Sequence, residues 1–254
     1  MLHDVIATSS QVGCVVHRNC LKVLLLVCLA AFGVKSIVAQ QVKAFMPTIN
    51  VPLGLPTTPI PPGDSSTTGV LALGRRLFFD PILSGNHALS CASCHKPQFG
   101  FADDSPLTVG ATGRSSPRNV PTVVNSAYFS SLFWDGRVSS LEKQVREPIE
   151  SADEMSNTAE EVEKRLNADP SYRQDFVKAW VAGPITFDIV EKSIASFERT
   201  LLSANSPFDR WKYGHDPKAV SDSAKRGFIV RKPRRRTRLF LLLTLFSLAA
   251  GSST

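Results

Sequence analysis

Cysteine is scarce in this chain of 254 residues: there are five, and Cys14, Cys20 and Cys28 fall near the amino end. The remainder holds only Cys91 and Cys94, three residues apart, which excludes a disulfide-stapled scaffold. Long apolar runs are missing as well. Residues 23–34 and 239–250 are each about twelve long, short of the roughly 20 needed to cross a bilayer. No stretch alternates apolar and polar residues for long enough to predict a sheet. The body of the chain also lacks excess positive charge. The formal charge is +7, but six basic residues crowd between Arg231 and Arg238, and Arg18, Lys22 and Lys35 precede residue 40. What lies between is close to neutral, so the basic balance does not point to a nucleic-acid partner.

What the amino end does contain reads as a leader. Arg18 and Lys22 precede the apolar run, and the small residue Ala39 precedes two glutamines. This pattern predicts a signal peptide over residues 1–39 and a periplasmic destination. A permanent anchor would need a longer run, and lipidation at Cys28 would need a smaller neighbour than Val27. Cleavage near Ala39 leaves the exported chain with CASCH, residues 91–95, as its only thiol motif. Three chemistries use such a pair. A structural zinc site wants four ligands, and no second CxxC or histidine pair completes one. A thioredoxin-like pair wants a βαβ neighbourhood, which the flanks do not show. Covalent haem attachment uses both cysteines and the histidine of the motif: both sulfurs join the porphyrin, and His95 follows as axial iron ligand.

The rest of the chain reads as a wrapping for one haem. Residues 40–68, with PLGLPTTPIPPGD, are expected to run extended as a tether without chemistry of their own. From Gly69 the spacing of Val70, Leu71, Leu73, Leu77 and Phe78 predicts a helix that Asp80-Pro81 ends. Arg75 and Arg76 lie on its surface, where they are either solvated or near a haem propionate. Phe99 and Phe101 are expected at the porphyrin edge. Thr158-Ala-Glu-Glu161 predicts a helix start, followed by helices near residues 172–181 and 187–202. The fold class is mainly α: a cytochrome c-like helical domain over 69–183, the start of a second over 184–230, and an aberrant tail over 231–254.

Several separate segments carry a resemblance. LGRRLFFDPILSGNHALSCASCHKPQFGFAD, SSPRNVPTVVNSAYFSSLFWDGRVSSLEKQVREPIESADEM and FERTLLSANSPFDRW, within residues 73–211, resemble the bacterial dihaem cytochrome c peroxidases and their MauG-type relatives. The resemblance implies two cytochrome c-like domains with one haem c in each, and periplasmic reduction of hydrogen peroxide. It implies that peroxide reacts at the haem held by Cys91, Cys94 and His95. It places Trp134 between the two haems as an electron relay, and Gln144 and Glu154 facing peroxide. Glu154 would move a proton from one peroxide oxygen to the other while Gln144 holds the substrate. Pro148 and Met155 would shape the pocket wall. Asn119 of PRNVPT matches a residue that helps hold calcium between the domains. The implied electron donor is a small cytochrome c or cupredoxin. Family members are often dimers, and nothing in the sequence marks an interface.

Two departures matter. The peroxidases carry a histidine after the first haem that blocks the iron, whereas no histidine stands between Lys96 and Gly214 here, which predicts an open, five-coordinate iron at rest. After SAKRGF the family continues into a second CxxCH, but this chain reads IVRKPRRRTRLFLLLTLFSLAAGSST. That swap is expected from a shifted reading frame or truncated gene, with a basic membrane-surface anchor as the functional alternative. One haem is therefore expected in this chain. The rival readings are a single-haem electron carrier without catalysis and an inactive fragment.

Overall fold

The computed structural model describes residues 49–180 and 183–231, so the expected leader and nearly all of the expected tail lie outside the described residues. Eight α-helices are present among them: α1 Thr68–Phe79, α2 Cys91–Cys94, α3 Leu141–Glu150, α4 Ala159–Ala168, α5 Pro170–Ala179, α6 Phe187–Glu198, α7 Pro207–Lys212 and α8 Asp222–Arg231. The only β pairings among the described residues are three isolated bridges, such as Lys96 with Ala102. The mainly helical expectation holds. No helix among the described residues is long and apolar enough to cross a membrane.

Local chemistry sets the helix ends. The Thr67 hydroxyl accepts from the Val70 amide at 3.3 Å to open α1, and Asp80 closes it by turning its carboxylate to the Ile82 amide at 2.9 Å. The Thr158 hydroxyl caps α4 through the Glu161 amide at 3.2 Å. Asp169 ends α4 and caps α5, whose first residue is Pro170. α6 stops at Glu198, four residues short of the expected end. There the Thr200 hydroxyl donates to the Phe197 carbonyl at 2.6 Å and Arg199 turns inward to acidic partners.

The core forms where α1 meets α6, with α3, α4 and α5 around them. Leu77 and Phe78 of α1, Ile149 of α3, Leu166 of α4 and Ile194 of α6 are fully buried. Each such side chain contributes roughly 1.5–3 kcal/mol. Gly74 lets α1 approach α6: a Cβ there would sit 1.9 Å from the Ser193 carbonyl oxygen. The expected division at residue 184 does not coincide with a break in packing, because α6 shares this core with α1. Arg76 pairs with Asp175 of α5 at 2.7 Å and lies over the Tyr172 ring at 3.7 Å, so its charge ties two helices together.

The proline-rich segment departs from expectation. Its prolines keep residues 49–67 out of helix and strand, but the segment is a packed strap rather than a free tether. Thr58 is buried beside the Tyr128 hydroxyl, which donates to the Pro56 carbonyl at 2.9 Å. The Ser65 carbonyl accepts from the Ser196 hydroxyl at 2.9 Å, and Asp64 lies 3.4 Å from the Arg199 guanidinium. The Ser65 carbonyl and the Asp64 carboxylate thus bind the strap to the end of α6, and the Pro56 carbonyl binds it to Tyr128. Further along the chain, Trp211 of α7 meets Phe208 and Phe228 edge to face beside a cavity of about 440 Å³.

Candidate functional site

The cysteine motif forms a single helical turn. The Ser90 amide donates to the Ser93 hydroxyl at 2.9 Å, and the His95 amide closes the turn on the Cys91 carbonyl at 2.8 Å. Three-residue spacing turns both thiols to one side of it. They are half-buried and not joined to each other. Burial, together with the charges of Asp103 and Glu154, pushes the Cys94 thiol up to about 11. Burial and then Glu198 raise Cys91 as well. Both are therefore neutral thiols at pH 7, not the activated thiolate of a redox pair.

His95 presents the complementary chemistry. Its Nδ1 lies 3.2 Å from the Phe101 carbonyl oxygen, so the proton resides on Nδ1 and Nε2 keeps its lone pair. Burial lowers its pKa, although the carbonyls of Phe101 and Pro121 pull the other way. A neutral imidazole and two neutral thiols on one turn are the donor set that a c-type haem requires. Among the described residues, no group of three or more His, Cys, Asp or Glu could hold a metal ion.

The chain turns tightly after His95. The Phe101 amide donates to the Lys96 carbonyl at 2.9 Å, and Phe101 adopts the left-handed backbone region with φ +57°. Its ring meets Phe78 edge to face in the core, whereas Phe99 is exposed. Of the two phenylalanines expected at the porphyrin edge, Phe101 alone is drawn inward.

Glu154 lies in a different segment. It follows α3, where Gln144 is half-buried one turn before Pro148. The Met155 amide donates to the Pro148 carbonyl at 3.0 Å, and the Asn157 amide to that of Ile149 at 2.8 Å, folding residues 151–157 back on the helix. Met155 is buried in the core by this fold. The Glu154 carbonyl accepts from the Ala111 amide at 2.7 Å. Gly110 allows that contact, since a Cβ there would meet the Asp153 carbonyl oxygen at 2.2 Å. The Glu154 carboxyl is half-buried, and its pKa is raised chiefly by burial, against the Ser151 hydroxyl and Arg137. Its field reaches Cys94, so the motif and this carboxyl share one neighbourhood.

Trp134 and Asn119 are joined to each other. Trp134 is 64% exposed, and its indole N–H donates to the Asn119 carbonyl at 2.8 Å. The Asn119 side-chain amide donates to the Ser105 carbonyl at 2.8 Å. Sequence reasoning missed the ion network beside this tryptophan. Asp135 accepts from Arg118 at 2.9 Å and Arg137 at 3.0 Å, and Arg137 also meets Glu147 at 3.2 Å. The Arg137 guanidinium stacks on Phe133 at 3.6 Å. The DGR sequence around Gly136, with φ +69°, was the available signal for that turn. Also missed was the buried set of Asp64, Glu142, Glu198 and Arg199 under FER, where the carboxylates come from three separate segments.

Residues 69–217 match the family model for the di-haem cytochrome c peroxidases. The methylamine utilization protein MauG of Methylophilus methylotrophus is 41% identical over 172 residues, covering 68% of this chain and 51% of that protein. The cytochrome c551 peroxidase of Pseudomonas aeruginosa is 41% identical over 157 residues, covering 61% and 45%. The crystal structure of a MauG-like protein associated with microbial copper homeostasis superposes with a TM-score of 0.64 at 31% identity, covering 72% of this chain and 54% of that one. The chain thus spans about half the length of the curated relatives it matches. The match extends from the start of α1 past the end of α7, taking in the cysteine turn, α3 and the Glu154 segment together, and on that ground this chain belongs to the di-haem cytochrome c peroxidase family.

Proposed function

We propose that this chain is a periplasmic haem peroxidase that reduces hydrogen peroxide with electrons from a small redox protein, a cytochrome c or a cupredoxin. The observation that carries the reading is the pairing of the thiol–thiol–imidazole turn with a carboxyl, Glu154, whose charge reaches that turn. Cys91 and Cys94 would hold the porphyrin through thioether bonds, and His95 Nε2, freed by the bond at Nδ1, would ligate iron. The bound haem supplies the electron-transfer and oxygen chemistry.

The chain's own residues manage the substrate and its protons. Gln144 holds peroxide by hydrogen bonding. Glu154, its carboxyl shifted toward neutrality by burial, accepts the proton of one peroxide oxygen and returns it to the other, which leaves as water. Two electrons and two protons from outside the substrate then complete the conversion of peroxide to two waters. No histidine between Lys96 and Gly214 competes for the substrate's place. Trp134, exposed and fixed by its bond to Asn119, offers an aromatic port for the incoming electrons. The test is peroxide turnover with a reduced cytochrome donor. Glu154→Gln retains haem but slows turnover by about 10²–10⁴-fold, and an unchanged rate overturns the assignment.

A further inference from the structure

We propose that Asp103 is a positioning residue for His95: anchored by Lys96, it locks the 96–105 loop so that the Phe101 carbonyl stays on Nδ1. The inference rests on the haem reading above and concerns how firmly the ligand is held and how strongly it donates.

Three observations carry it. First, Phe101 adopts φ +57° without being glycine, a conformation that persists only where neighbouring contacts over-determine it. Second, the side-chain contacts of the loop that carries Phe101 converge on one buried carboxylate. The Asp103 side chain is 1% exposed, and it accepts from Lys96 Nζ at 2.7 Å, from the Thr108 hydroxyl and from the Ser105 amide at 3.3 Å. Lys96 Nζ also contacts Asp104, but Asp104 is 46% exposed and cannot fix the loop as a buried partner does. Third, Lys96 is itself the hinge of the loop. Its amide donates to the Ala102 carbonyl at 2.9 Å, and its carbonyl accepts from Phe101 at 2.9 Å. Side chain and backbone of one residue therefore clamp both ends of the segment that presents the Phe101 carbonyl.

The consequence is chemical as well as structural. A carbonyl held on Nδ1–H fixes the tautomer and makes Nε2 a better donor. If the loop relaxes, the Nδ1 bond lengthens and Nε2 donates less electron density to iron, which favours the ferrous state.

The test uses the haem-loaded protein and two readouts other than turnover: the iron–histidine stretching band in the ferrous resonance Raman spectrum, and the midpoint potential. In Asp103→Ala at unchanged haem content, the band moves to lower frequency and the potential rises. Lys96→Arg, which keeps a cation on Asp103, retains wild-type values. Lys96→Met, at a partly exposed side chain, shifts both readouts in the same direction and serves as the deciding variant if Asp103→Ala fails to fold. Wild-type band and potential in Lys96→Met, or in a haem-loaded Asp103→Ala, overturn the proposal. Absence of covalent haem from the wild-type protein overturns instead the reading beneath it.

Discussion

Glu198 shows how far a single side chain can depart from its solution behaviour. It is buried at the end of α6, its Oε2 accepts no hydrogen bond, and burial pushes its pKa from 4.5 up to about 8. Arg199 pulls the other way and Glu142 adds to the rise. The carboxyl is protonated in both folded and unfolded chains below pH 4.5. Between 4.5 and about 8 the unfolded chain releases this proton while the folded one keeps it, so stability falls as pH rises. Above that window the slope vanishes. Glu198→Gln therefore flattens the fall of Tm with pH, leaving a smaller slope of the same sign from Asp64, which burial and Glu142 push up to about 6. A pH series of thermal melts checks this. At this scale the sequence revealed the cysteine motif, because its spacing fits one helical turn. It did not reveal Glu198 or the Phe101 carbonyl. A lone glutamate reads as solvated, and a backbone acceptor set by a positive φ has no side-chain signature.

Helices carry the next level of argument. Gly74 is the contact point of α1 and α6, and the Ser193 carbonyl that faces it belongs to the backbone of a packed helix. Gly74→Ala must push the helices apart, at a cost of about 3 kcal/mol, the upper end of overpacking. With a urea dependence of about 1–3 kcal/mol per molar, the unfolding midpoint drops by about 1–3 M. Periodicity made α1 legible nearly to the residue and the Thr158 cap marked the start of α4, but α5 begins at Pro170, two residues before its expected start, because Asp169 caps it. The end of α6 was not legible. Apolar spacing continues to Leu201, but the inward turn of Arg199 stops the helix first. The role of the proline-rich strap was hidden for a related reason: it is held through its own backbone carbonyls and one aspartate, and composition alone predicts only that it is not helical.

For the molecule as a whole, family membership and haem stoichiometry are separate questions. The matched stretch covers about half of each relative's length, and this sequence contains one CxxCH. Pyridine haemochrome analysis against protein concentration is expected to return one haem per chain, and a value near two or zero contradicts the proposed attachment. Both sulfurs should be thioether-linked in the same material, read by mass spectrometry. The resemblance read from the sequence extended to residue 211, and the family match reaches 217. The molecule's mainly helical character was legible in full. The sharing of one core by α1 and α6 was not, because it depends on which apolar faces meet, and periodicity gives each face without its partner.

The strap changes what counts as the minimal folding unit. Shaving the chain back to Gly69, where sequence pattern alone would begin the domain, removes the Asp64 carboxylate from the interior. Arg199, only 6% exposed, would be left facing Glu142 as its sole ion-pair partner, with one arm of its guanidinium stranded in the protein. Stranding a cation in this way costs several kcal/mol, so an excision that respects helix boundaries would still yield a crippled domain.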